Sequence, residues 1–204
     1  MNAELEQLLK TDGRIWRGKK TVADIPILAT GFPELDRVLP GGGWPAHALT
    51  EIRVAEWGIG ELSLLLPAMR ALNDEGFWLV WVTPPFEPYP PALCQRGLDV
   101  QRMLVVDTAD SEADFWWVME NLLRHPAARL VLGWPRQIRG TLLRRLQLAA
   151  EEGGTLGMLF HREAIDSTPA PLRLALSPSV EGLEIRVLKA RGGFGGAVAR
   201  VVLN

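Results

Sequence analysis

Residues 55–62, Ala-Glu-Trp-Gly-Ile-Gly-Glu-Leu, stand where a strand-like run gives way to an apolar helical run, the position of a phosphate-binding loop. That chemistry needs glycines whose amides close on phosphate, a lysine for the β and γ oxygens, and a hydroxyl for Mg²⁺ in the spacing G-x-x-x-x-G-K-[ST]. Set on this pattern, the chain offers Ala55, Gly60, Glu61 and Leu62, with Gly58 inside the loop. A carboxylate takes the place of the cation, and an aliphatic side chain that of the metal's hydroxyl ligand. Glu61 is expected to repel a triphosphate. Two further requirements fail elsewhere. The strand over 129–132 ends in Gly133-Trp134 rather than an acid for Mg²⁺, and the strand over 77–82 ends in Thr83-Pro84-Pro85 rather than a base for water. Cation, metal ligand and base are missing together, so ATP hydrolysis is not expected; nucleotide binding without turnover stays open.

Other catalytic arrangements are weaker. His47, His125 and His161 are far apart without ligand spacing, and each is read as a satisfied or exposed side chain. Cys94 is the single cysteine, which excludes an internal disulfide and a cysteine-based zinc site and suits a reducing compartment. Asp36 reads as a cap or salt-bridge partner, and Asp107 and Asp110 as residues that start the next helix. No catalytic residue, cofactor or metal is assigned.

The elements that must position this loop follow from periodicity. The chain has 204 residues, 48% apolar and 23% charged, with a net charge of −2, the mix of a folded α/β domain rather than a polycation. Residues 1–12 read as a short helix and 13–29 as a basic arm, so the division expected is 1–27 for helix and arm and 28–204 for the core. Within the core, strands at about 48–54, 77–82, 103–106, 129–132 and 156–160 alternate with helices at about 61–73, 91–96, 111–124 and 141–152. Pro67 should bend the first of these helices. Pro84–Pro91, with five prolines in eight residues, reads as a stiff loop. The runs 172–176, 183–188 and 198–203 read as antiparallel additions to the sheet. The fold class expected is α/β, a mostly parallel sheet with helices on both faces and antiparallel carboxy-terminal strands. No signal peptide or membrane-spanning run is visible, which points to a cytoplasmic protein.

Aromatic and basic residues offer the candidate binding surfaces. Trp44 and Trp57 sit in glycine-rich turns, where a large ring is more readily explained by a protein contact than by packing. Arg136, Arg139, Arg144 and Arg145 cluster without an acid among them, and Arg144 and Arg145 should face solvent. Arg186, Lys189, Arg191 and Arg200 share a segment without an acid after Glu184, and Lys189-Ala-Arg-Gly-Gly-Phe194 is a basic loop with one aromatic. Such a loop can bind a phosphate backbone or an acidic partner segment; a plain hairpin is the alternative.

Read together, Thr30-Gly31, Leu35-Asp36, Leu39 and Gly42-Gly43 before a strand, loop and helix resemble the opening of the RecA core, and Lys189-Ala-Arg-Gly-Gly is similar to its closing hairpin. More narrowly, Leu39-Pro-Gly-Gly-Gly-Trp-Pro45, Ala48-Leu-Thr-Glu-Ile52, Pro90-Pro-Ala-Leu93, Leu143-Arg-Arg-Leu-Gln-Leu-Ala-Ala150 and the Arg191-Gly-Gly loop resemble the ImuA family, over roughly residues 28–203. That resemblance implies a RecA-like fold kept for binding. It implies an accessory factor of SOS-induced translesion synthesis working with an ImuB-type inactive Y-family polymerase and an error-prone C-family polymerase. Contact with RecA and a weak DNA contact are also implied. Glu61, Leu62, Thr83 and Trp134 depart from RecA and put an ATP-driven filament in doubt. A SulA-like cell-division inhibitor that binds FtsZ is the rival reading.

Overall fold

The computed structural model describes residues 25–108, 111–164, 168–192 and 195–203, so the helix expected over 1–12 and most of the basic arm lie outside the described residues. In chain order the strands are β1 (Ile27–Leu28), β2 (Trp44–Pro45), β3 (Leu49–Val54), β4 (Trp78–Val82), β5 (Met103–Val106), β6 (Ala128–Gly133), β7 (Leu156–His161), β8 (Leu172–Ser179), β9 (Gly182–Ala190) and β10 (Val198–Val202). The helices are α1 (Pro33–Asp36), α2 (Glu61–Asp74), α3 (Pro90–Gln95), α4 (Glu112–Arg124) and α5 (Gly140–Gly153).

Eight strands form one sheet in the order β10-β9-β8-β3-β7-β6-β4-β5, and β1 pairs with β2 beside it. All neighbours from β8 to β5 are parallel, whereas β9 and β10 are antiparallel. The expected α/β architecture is present, with one correction. The run starting at Leu172 is not an antiparallel addition but a sixth parallel strand, with Ile52 opposite Leu174. The link from β7 to β8 is therefore a crossover past β3 rather than a hairpin.

The period of two along the strands sorts side chains between two helix layers. Ile52, Val54, Leu79, Trp81, Leu130 and Leu132 meet Leu64, Leu65, Ala68 and Met69 of α2 on one face. Leu49, Val80, Val82, Val131 and Leu159 meet Phe115, Met119 and Leu123 of α4 and Leu143, Leu146 and Ala149 of α5 on the other. Full burial of each valine, leucine, isoleucine, phenylalanine or methionine among them contributes about 1.5–3 kcal/mol. Ser111 starts α4, its hydroxyl accepting the Asp114 amide at 3.2 Å, and Gly154 stops α5 at φ 66°.

Pro67 lies inside α2, which runs unbroken from Glu61 to Asp74. Its ring faces Gly31, whose φ is +85° and where a Cβ would fall 2.4 Å from the Pro67 Cβ, so the Thr30-Gly31 turn has room for no side chain. Thr30 and Asp36 fasten the same turn. The Asp36 carboxylate accepts the Thr30 amide at 3.1 Å and the Thr30 hydroxyl accepts the Phe32 amide at 3.1 Å. Because α2 leaves β3 on one face while α4 and α5 cover the other, the loops ending β3, β4 and β6 converge on the crevice where open α/β sheets receive ligands.

Candidate functional site

The loop of residues 55–60 carries Gly58 at φ +83° and Gly60 at φ +111°, a backbone in which amides turn inward. Two of the amides that could hold a phosphate are already occupied. One carboxylate oxygen of Glu61 accepts the Gly58 amide at 2.9 Å, and the other accepts the Gly60 amide at 3.1 Å. Glu61 is only 5% exposed and opens α2, where the helix dipole also favours a negative charge. The sequence places a repelling charge here; the structure shows more, a side chain folded back to serve as the loop's own anion. Leu62 is half-buried against the main core and brings no hydroxyl. Leu203 closes the loop from the other side, since a Cβ on Gly60 would sit 2.3 Å from its Cδ1.

The rest of the crevice is aromatic. Trp134, where a metal-binding acid would be needed, stacks on Phe160 at 5.1 Å and 12° and lies 6.0 Å from Trp81. Thr83 ends β4 with φ 51°, a strained value for a β-branched residue, and its hydroxyl pairs with that of Thr108 at 2.9 Å. A cavity of about 300 Å³ lies among Glu61, Leu62, Trp81, Phe86, Tyr89 and Trp134. Phe86 and Tyr89 of the proline-rich loop are exposed at its mouth. Among the described residues no group of three or more His, Cys, Asp or Glu is placed to hold a metal.

Several expected surface residues move. Trp44 is corrected: it is 0% exposed and belongs to the main core, because pairing of β1 with β2 folds its glycine-rich turn against the sheet. Trp57 is half-buried against the same core. Arg144 and Arg145 are exposed as expected, but Arg145 pairs with Glu120 of α4, so the cluster is not free of acid in space. Arg186 and Arg200 share Glu184, at 3.7 and 2.9 Å. Arg191 is half-buried at the turn after β9, its amide donating to the Pro171 carbonyl at 2.7 Å; Phe194 lies outside the described residues.

Lys189 turns away from solvent toward a buried polar group that the sequence reading missed. Glu51, 1% exposed in β3, accepts the Thr168 hydroxyl and lies 3.6 Å from His161 Nε2 and 3.7 Å from Arg173 Nε. Lys189 donates to the Thr168 carbonyl. His161 is therefore neither exposed nor satisfied as expected: it is buried, with no hydrogen-bond partner at either ring nitrogen among the described residues. A lone glutamate in the apolar run Ala48–Val54 was the available signal.

Burial pushes the Lys189 ammonium below its ordinary range; Glu51 opposes that shift, while Arg191 and Arg173 add to it. Below its folded value, Lys189 is charged in both states and the burial cost is fully present. As pH rises from there toward the ordinary lysine value of about 10.4, the unfolded chain holds more protons and the cost is relieved. The stability of the natural chain relative to Lys189→Met should therefore increase with alkaline pH, measured by urea unfolding. A flat difference would contradict the burial assigned to Lys189.

Fold and loop together define a class: an α/β protein with the framework of a phosphate loop in which the loop's amides bind its own carboxylate. The family model described as "SulA: Cell division inhibitor SulA" matches residues 48–157, more than half of the chain, and the chain belongs to this family. ImuA proteins are among its relatives. Protein ImuA of Caulobacter vibrioides is 30% identical over 142 residues, covering 67% of this chain and 58% of the relative. Cell division inhibitor SulA of Edwardsiella piscicida is 32% identical over 111 residues, covering 52% of this chain and 66% of that protein. SulA of Photorhabdus laumondii is 29% identical over 102 residues, covering 50% and 57%. The chain thus spans less than two thirds of the length of the relatives it matches.

Proposed function

We propose that this protein is a non-catalytic accessory factor of the DNA-damage response. Within that response it serves SOS-induced error-prone translesion synthesis beside an ImuB-type inactive Y-family polymerase and a C-family error-prone polymerase. The observation that carries the reading is the Glu61 carboxylate on the amides of Gly58 and Gly60. A loop whose glycine amides hold its own carboxylate opposes a triphosphate, and Trp81 and Trp134 wall the crevice where a metal-binding acid would stand. What the fold retains is a stiff sheet and its surfaces, suited to holding partners together in the cytoplasm. The ImuA relatives favour this assignment.

The test is co-purification with an ImuB-type partner. Deleting residues 186–204 would remove core residues Val187 and Val201, so point substitutions are the informative variants. Arg186→Glu with Arg191→Glu is expected to weaken partner retention about tenfold, an effect of interfacial charge reversal, while Cys94→Ser leaves it unchanged. Failure of the natural chain to retain the partner would overturn the assignment.

A second reading has its own support in the SulA family model over 48–157. In that reading the chain binds FtsZ and stops its polymerisation. Inhibition of FtsZ assembly in vitro by stoichiometric protein would establish it, and undisturbed assembly would remove it.

A further inference from the structure

Helices α4 and α5 lie side by side on one face of the sheet, and the cleft between their outer surfaces holds about 540 Å³. Its lining comes from one stripe on each helix: Glu112, Trp116, Trp117 and Glu120 from α4, and Leu142, Arg145 and Leu146 from α5, with Arg139 at the amino-terminal end of α5. Trp116 and Leu146 are buried and form the floor, Leu142 is half-buried, and Trp117 is 65% exposed on the wall. A tryptophan so exposed beside an apolar floor is the kind of residue that anchors a protein contact.

The charges of the cleft are unequal in availability. The two oxygens of Glu112 accept the Trp116 indole N–H at 3.1 Å and the Arg136 amide at 3.0 Å. Those of Glu120 accept Arg124 at 2.6 Å and Arg145. Glu120 and Arg145 hold α4 and α5 together, and Glu112 ties the start of α4 to the loop before α5. Arg139 is exposed and has no carboxylate partner among the described residues, nor has Arg144 on the adjoining stripe of α5. The lining as a whole carries two arginines and two glutamates, so it offers a polyphosphate chain no net attraction. Arg139, the lining cation without a carboxylate partner among the described residues, sits at the end where α5 begins.

We propose that this cleft is a docking groove for a short amphipathic helix of a partner protein. The helix lays apolar side chains against Trp117, Leu142 and Leu146 and brings carboxylates at one end to Arg139, with Arg144 reinforcing the local positive field. Two parallel helices on a sheet provide the trough that a third helix fills, and Trp117 supplies the anchor. The groove is separate from the loop at Glu61 and from the sheet end carrying Arg186, so its failure leaves the proposed function standing and the converse holds too.

The test uses the full chain and three fluorescein-labelled probes followed by anisotropy. One is a designed 16-residue amphipathic helix with Leu and Phe on one face and Glu at one end; the second has Lys in place of each Glu; the third is an oligothymidine. Saturable binding of the glutamate helix is expected, with the lysine helix at least tenfold weaker and the oligothymidine unable to displace it. Trp117→Ala and Arg139→Glu should each weaken the glutamate helix about tenfold, while Arg186→Glu leaves it unchanged. Equal binding of the two helices, displacement by oligothymidine, indifference to both groove variants at unchanged far-UV dichroism, or no saturable binding of the glutamate helix would each overturn the proposal.

Discussion

Trp44→Ala is expected to destabilise the fold by about 3–5 kcal/mol, the range for removing a large aromatic side chain from a packed interior. For a domain of this size that is a fall of roughly 6–20 °C in Tm. Trp44 is wholly buried in the core shared by α1, α2 and the sheet, with Leu35, Leu39 and Leu65 in the same cluster. The indole fastens the β1–β2 pair, and with it the glycine-rich turn before β3, to the rest of the molecule. Thermal unfolding by circular dichroism separates this role from a surface one. A variant with unchanged Tm and impaired partner binding would return Trp44 to the surface and contradict its place in the core.

Glu51→Ala should be about as damaging, about 3–5 kcal/mol, because it breaks a buried ionic group on one side only. Glu51 faces His161 on β7 and Arg173 on β8, and it accepts the hydroxyl of Thr168, so a single carboxylate ties the crossover between those strands to β3. Its loss leaves the buried guanidinium of Arg173 without the carboxylate it faces, a larger penalty than the loss of an exposed pair of similar geometry. Glu51→Gln keeps an acceptor for Thr168 and should cost clearly less. Urea unfolding of both variants decides the point. Equal, small effects, within about 0.5 kcal/mol of the natural chain, would show that the group is not ionic in the way its geometry implies.

The alternation of strands and helices was legible in the sequence because apolar runs such as Trp78–Val82 and Leu156–Phe160 are long enough to be buried on both faces, and because Gly153-Gly154 and Ser111 mark helix ends. The direction of β8 was not legible. Its residues read as strand either way, and only the crossover past β3 sets the orientation. The departure of Glu61 and Leu62 from the phosphate-loop pattern was legible, but the return of the Glu61 carboxylate onto Gly58 and Gly60 was not, since it depends on both glycines adopting positive φ. Trp44 misled because a glycine-rich turn suggests exposure, whereas the two-residue pair of β1 and β2 folds that turn inward. Charge was hardest to read. Arg145 and Arg200 belong to basic stretches in the chain, yet Glu120 and Glu184 answer them across helices and strands.

Isothermal calorimetry of the purified chain with Mg·ATP, paired with an ATPase assay with and without single-stranded DNA, tests most directly whether the loop is filled by its own glutamate. No saturable heat at millimolar nucleotide and no turnover under either condition is the result expected of a loop whose Gly58 and Gly60 amides are already bonded to Glu61. A micromolar isotherm, or hydrolysis that rises with single-stranded DNA, would contradict it.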